Sequence, residues 1–185
     1  MTAVPPDRIH TERVYDGRIV RVDIDTVRAP DGSEMRLEMV RHRGAAAIVP
    51  LLSGLDAEDP SVLLIKQYRY ATGGTIWEIP AGVLEPGEKP VECARRELRE
   101  EVGAEASKLE HLTTIYTTPG FTDERIHIFL ATGLTVGETQ HELDEFIEVT
   151  TLPMSRILEM IRDGELLDGK SVSALLYVAG FRLGM

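Results

Sequence analysis

Three glutamates, Glu97, Glu100 and Glu101, stand within five consecutive positions of the stretch that ends Arg99-Glu100-Glu101-Val102-Gly103. On a helix advancing about 100° per residue, Glu97 and Glu101 lie about 40° apart, with Glu100 within about a turn of both. Val91, Ala94, Leu98 and Val102 form an apolar stripe on another side. Such a helix would seat one face on a core and gather three carboxylates on the other. Like charges at i and i+4 destabilise a helix by about 0.2–0.5 kcal/mol per pair. Hard oxygen ligands are what Mg2+ selects, so a bound divalent cation would more than offset that repulsion. A solvated acidic face has the same composition. The spacing of the neighbouring residues separates the two readings.

From Gly82 the sequence runs five residues to Glu88 and seven more to Arg96-Glu97. Leu98, Arg99, Glu100-Glu101, Val102, Gly103 and Ala104 follow. This matches the Nudix box without departure, Ala104 alone being smaller than the aliphatic residue common there. So many fixed types at fixed offsets are very improbable at ordinary residue frequencies. The chain therefore resembles the Nudix hydrolases. The resemblance implies a loop–helix–loop over residues 82–104, with Mg2+ (Mn2+ as a substitute) held by Glu97, Glu100 and Glu101 and by the backbone carbonyl of Ala81. It also implies that Glu88 and Arg96 hold the loop against the helix. Cys93, one turn before Glu97, reads as helix packing rather than as a nucleophile. Lys89 is a poor residue for the cap position.

The box identifies a chemistry and leaves the substrate open. Pro119 lies 16 residues after Gly103, within Thr117-Thr118-Pro119-Gly120-Phe121-Thr122-Asp123-Glu124. That segment resembles the ADP-ribose pyrophosphatase branch of the family, although a plain turn also accounts for a Pro-Gly pair. Lys66-Gln67-Tyr68-Arg69-Tyr70 and Trp77-Glu78-Ile79-Pro80-Ala81-Gly82 resemble the same branch. The resemblance, over roughly residues 15 to 180, implies hydrolysis of ADP-ribose to AMP and ribose 5-phosphate. A GDP-sugar, a dinucleoside polyphosphate or a nicotinamide dinucleotide would suit the same chemistry. Arg69 is placed to meet a phosphate, where a guanidinium gives bidentate contacts. Phe121, Glu124, Glu38 and Arg41 are the other substrate-binding candidates. Trp77 suits a core position better than a base-stacking platform. A reading of another class, an inactive Nudix module that senses a metabolite, is disfavoured by the intact box.

Carboxylates bound to metal neutralise charge but are poor acceptors for the proton of an attacking water. The resemblance implies that a glutamate on a mobile loop late in the chain takes that proton. Gly137 opens a polar run that reaches His141-Glu142-Leu143-Asp144-Glu145 and then an alternating strand from Phe146. Glu145, just before the strand, is the first candidate and Glu142 the second. Leu143 interrupts the acidic run, and His141 reads as a surface residue.

The elements that must position these groups follow from periodicity. Alternation at Val20, Val22 and Ile24 predicts a half-buried strand over 18–27, after a polar, frayed start over 1–13. A turn at Ala29-Pro30-Asp31-Gly32-Ser33 leads to a second strand through Met35, Leu37 and Met39, giving an N-terminal hairpin. Apolar runs at 45–52 and 62–67 read as buried strands. Pro90 opens the box helix and Gly103 ends it. Further strands are expected at 109–116, 125–131 and 146–150, and helices at 154–163 and 172–181. The fold class is α/β: an α/β/α sandwich with a mixed β-sheet over residues 44–185, plus an N-terminal antiparallel β appendage over residues 1–43. A lone hairpin is marginal in water. By the resemblance, the appendage packs on a second subunit, partly swapped, in a homodimer, and helps build the base-binding pocket.

Composition sets the outer limits. The 185 residues carry a formal net charge of −11, are 43% hydrophobic and 28% charged, and contain one cysteine. An excess of acid argues against a nucleic-acid partner, while a small anionic substrate stays open because a metal reverses the local sign. One cysteine permits no internal disulfide and fits a reducing compartment. No apolar run is long enough to span a membrane, and the first residues lack a signal peptide's apolar core. A cytoplasmic location is expected.

Overall fold

The structure, a computed structural model, describes residues 7–139 and 146–185. Its strands are β1 (Arg8–Asp16), β2 (Arg21–Arg28), β3 (Glu34–Arg41), β4 (Ala45–Pro50), β5 (Ser61–Arg69), β6 (Gly74–Glu78), β7 (Ala81–Val83), β8 (Ala104–Tyr116), β9 (Arg125–Val136) and β10 (Ile147–Pro153). The helices are α1 (Pro90–Val102), α2 (Met154–Arg162) and α3 (Gly169–Val178).

Uninterrupted apolar runs in β4, β5 and β9 mean that both faces of these strands are covered. Successive residues of β4 alternate between two cores: Ala45, Ala47 and Val49 join α2 and α3, whereas Ala46 and Ile48 join α1. Val62 and Leu64 of β5 face the α2–α3 side, and Leu63 and Ile65 the α1 side. Helices therefore flank the strands on both sides in an α/β/α arrangement. One four-stranded sheet has the order β7-β4-β9-β8 and is mixed, β4 running parallel to β9 and antiparallel to β7. A second sheet, β10-β5-β6, is antiparallel. The short β7 carries the entrance to the box.

The N-terminal sheet departs from the expected hairpin in two ways. It has three strands in the order β1-β2-β3, because β1 forms where a frayed start was expected. Its own residues do not alternate apolar with polar, and its central pairs include Thr11 opposite Asp25 and Arg13 opposite Asp23, so apolar alternation could not reveal it. The faces of β2 are also reversed. Asp23 and Asp25 are each 3% exposed, while Val20 is 42% exposed and Val22 and Ile24 are only half-buried. Arg41 compensates the buried carboxylates, its Nε donating to Asp23 at 2.8 Å and its Nη2 to Asp25. Arg13 donates to Asp23 from the other side.

Candidate active site

Helix α1 starts at Pro90, and Glu92 compensates the poor cap: its carboxylate accepts the Lys89 N–H at 3.1 Å. It stops at Gly103, whose φ of 64° closes the helix with an N–H donated to the Arg99 carbonyl at 3.0 Å. Cys93, Ala94, Leu98 and Val102 are buried in the core, whereas Val91 sits at the rim, 36% exposed. Burial pushes the Cys93 thiol up to about 12, so it stays protonated and serves packing.

Two of the three glutamates lie against β7 rather than in solvent. Glu97 is 7% and Glu101 3% exposed. Glu101 accepts the Ala81 N–H at 2.9 Å. A Cβ at Gly82 would stand 1.7 Å from Oε1 of Glu97 and 2.1 Å from its Cδ. The missing side chain at Gly82 is therefore the space the Glu97 carboxylate occupies. Glu100 is more open, its side chain 32% exposed.

Arg96 joins these parts. Its Nε and Nη2 donate to Glu88 at 3.0 and 3.1 Å, and Nη2 also donates to the Val83 carbonyl at 3.2 Å. Nη1 donates to Glu97 at 2.5 Å and to Glu100 at 3.1 Å. The hydrogen bonds that Arg96 donates hold the Glu88 carboxyl below its usual range, and the same bonds, accepted by Glu88, are the main cause of the raised Arg96 pKa. Glu88 also accepts the Glu85 N–H at 2.9 Å, which closes the loop. One guanidinium thus pins the loop to the helix and screens the like charges of the glutamates. Among the described residues, no three His, Cys, Asp or Glu side chains are arranged as a ready cation site.

Arg69, at the end of β5, lies back on Glu78, donating from Nε at 2.7 Å and from Nη2 at 3.0 Å. Its pKa is raised first by the Glu78 hydrogen bond, with Glu101 and Asp168 adding to the field. Glu78 is 2% exposed and takes a second cation, Lys170, which also donates to Asp168 at 2.8 Å. Glu78, Asp168 and Lys170 escaped sequence reasoning. Only the place of Glu78, directly before Ile79-Pro80-Ala81-Gly82, could have signalled it.

The segment 117–124 is fastened to the N-terminal sheet. Val40 donates to the Phe121 carbonyl and His42 N–H to Oδ1 of Asp123, both at 2.7 Å. Arg41 Nη1 lies 3.5 Å from the other oxygen of Asp123. Phe121 is 52% exposed. Glu124 accepts from Thr117 at 2.7 Å and lies 3.4 Å from Nδ1 of His42. The same nitrogen lies 3.1 Å from the Gly44 amide nitrogen. Arg41, facing three carboxylates, acts as the joint between sheet and segment. Glu38 is exposed on the opposite face of β3, in register with Ile24, so the structure does not bring Glu38 and Arg41 together. Glu145, Glu142 and His141 lie outside the described residues. A cleft of about 1010 Å³ separates the charged face of the N-terminal sheet from the box loop, touching Arg41, Glu88, Pro119 and Asp123. Neither Arg69 nor the α1 glutamates line it.

A helix whose glutamates nest on a glycine strand, tied to its loop by one arginine within an α/β/α fold, defines a hydrolase site of the Nudix class. Residues 41–173 match the NUDIX domain family, and the chain belongs to the Nudix hydrolases. It is 37% identical to "ADP-ribose pyrophosphatase" of Bacillus subtilis (strain 168), over 96% of this chain and 95% of that protein. It is 38% identical to "Methanol dehydrogenase activator" of Bacillus methanolicus, over 92% of this chain and 90% of that one. The fold superposes on a crystal structure of an "ADP compounds hydrolase" with a TM-score of 0.81 and 25% identity, covering 100% of this chain and 97% of that one. No helix among the described residues is long and apolar enough to cross a membrane.

Proposed function

We propose that this protein hydrolyses the pyrophosphate bond of ADP-ribose, releasing AMP and ribose 5-phosphate, with Mg2+ as cofactor and Mn2+ as a substitute. The observation that carries the reading is the nest of Glu97 on Gly82 and of Glu101 on the Ala81 N–H, beside Glu100. This donor set is all hard oxygen, and the glycine leaves the space the carboxylate needs, so the residues fit a divalent cation. Glu97, Glu100, Glu101 and the Ala81 carbonyl would hold it. Held there, a divalent cation would supply charge neutralisation for the pyrophosphate and Lewis-acid activation of a water.

The chain's own groups do the rest. Arg96, bonded to Glu97, Glu100 and Glu88, would give up the first two to a bound cation and keep Glu88, so the loop would stay in place. Arg69, held from behind by Glu78, offers its outer face to a phosphate. Phe121, Glu124, Glu38 and Arg41 remain candidates for the nucleoside and ribose, Arg41 through the segment it anchors. Glu145 takes the proton of the attacking water, with Glu142 as the alternative.

The half-exposed apolar face of the N-terminal sheet, with Val22, Ile24 and Val40, supports a homodimer in which this appendage (residues 1–43) meets a second copy. The net charge of −11 and the single cysteine support a cytoplasmic enzyme with no nucleic-acid partner. The test is a substrate panel in magnesium buffer with product identification, covering ADP-ribose, a GDP-sugar, a dinucleoside polyphosphate and NADH. ADP-ribose should give the highest kcat/KM, with AMP and ribose 5-phosphate as products. A tenfold or greater preference for another member, about 1.4 kcal/mol in transition-state binding, would assign the substrate elsewhere.

A further inference from the structure

The first turn of α3 reaches the site from a part of the chain outside the box. Glu78 is 2% exposed, and its Oε2 is shared by Arg69 Nη2, at 3.0 Å, and the Lys170 ammonium. Arg69 Nε takes the other oxygen at 2.7 Å, and among the described residues Arg69 Nη1 makes no hydrogen bond. Lys170 is itself held by Asp168 at 2.8 Å, so two cations and two carboxylates balance. Ser171 donates to the same Asp168 oxygen and accepts the Ile79 N–H at 2.8 Å, two residues before Ala81.

We propose that Lys170 is a positioning residue: by sharing the buried Glu78 it fixes the Arg69 guanidinium with Nη1 outward, for the diphosphate of the substrate. This assignment rests on the diphosphate chemistry proposed above, not on the identity of the nucleoside. A buried carboxylate needs its lone pairs met and its charge balanced. Without Lys170, that demand falls on Arg69 alone, which is drawn inward with its positive field spent on Glu78. A lysine that only stabilised the fold would not change the ligand affinity carried by Arg69.

The experiment is a double-mutant cycle on the full chain, reading the Kd of magnesium pyrophosphate by calorimetry together with KM, kcat and Tm. Lys170→Met should weaken pyrophosphate binding and raise KM about tenfold, with kcat within about twofold of the parent. Lys170→Arg should recover binding to within about threefold, because it keeps the charge and the reach. In an Arg69→Ala background, Lys170→Met should change Kd by less than about twofold. If Lys170→Met fails to fold, Lys170→Gln carries the same expectations. An unchanged Kd in a folded Lys170 variant, or an equal loss in the Arg69→Ala background, overturns the assignment. Coupling on pyrophosphate without ADP-ribose cleavage would sink the substrate reading and leave Lys170 in place. Cleavage without coupling would do the reverse.

Discussion

Gly82→Ala should silence the enzyme while leaving it folded. The added methyl would stand 1.7 Å from Oε1 of Glu97 where an ordinary contact begins at 3.4 Å, so the carboxylate has to retreat by about 1.7 Å. The atom in the way is the far end of a flexible side chain, so the backbone of β7 need not move. Arg96 keeps its two hydrogen bonds to Glu88 and one to Glu100 when Glu97 swings away. Net stability should change by no more than about 1 kcal/mol, or roughly 2–4 °C in Tm for a chain of this size. Catalysis is less tolerant, because a displacement of about 1 Å at a catalytic group can cost about 10²-fold. Steady-state kinetics in saturating Mg2+ and thermal melts of the same preparation make the check. The expected result is kcat down at least about 10²-fold with Tm held. Near-parental kcat would mean that the Glu97 carboxylate is not needed where it lies. A fall in Tm beyond roughly 10 °C would mean that the strand gave way instead, which refutes the argument equally.

If Glu97 and Glu101 are metal ligands as proposed, Glu97→Gln and Glu101→Gln should each lower kcat at least about 10²-fold with the fold intact, since each would remove a ligand charge while relieving repulsion on α1; retained activity in either excludes that residue as a ligand. Glu145→Gln should lower kcat within about 10²–10⁴-fold with KM little changed, and Glu142→Gln much less; the reverse order in kinetics would move the base to Glu142. Ile24→Glu, on the half-exposed face of β2, should turn a dimer into a monomer in light scattering, and an unaltered mass would remove that face from the interface. Arg69 and Lys170 hold the Glu78 carboxyl below its ordinary value of 4.5, despite burial that opposes this. A depressed folded pKa stabilises above the unfolded value and is lost as pH falls below it. The Tm advantage of the parent over Glu78→Gln should therefore shrink as pH drops below about 4.5, and a constant difference would contradict the pairing.

Much of the core and the box helix could be read from residue order, because periodicity and fixed spacing report directly on burial. The runs in β4 and β5 announced strands buried on both faces, and Pro90 and Gly103 marked the ends of α1. What stayed hidden was set by partners distant in sequence. Strand β1 has no apolar alternation and is held by Thr11 and Arg13 reaching Asp25 and Asp23. The faces of β2 were misjudged because Arg41, 18 and 16 residues from Asp23 and Asp25, lets two carboxylates be buried in place of two aliphatics. The spacing set Glu97 and Glu101 on the face away from the apolar stripe but could not show that β7, a strand that follows no helical period, covers them. Lys170 lies 92 residues from Glu78, and no local pattern connects them.

The central claim is that the α1 glutamates and their divalent cation cleave the pyrophosphate of ADP-ribose. AMP release from ADP-ribose by the full chain, with Mg2+ and then with excess chelator, tests it most directly. The account predicts AMP and ribose 5-phosphate in equal amounts with Mg2+, no release above background with chelator, and recovery on adding Mg2+ or Mn2+. Undiminished release in chelator, or no release from folded protein in Mg2+, would contradict it.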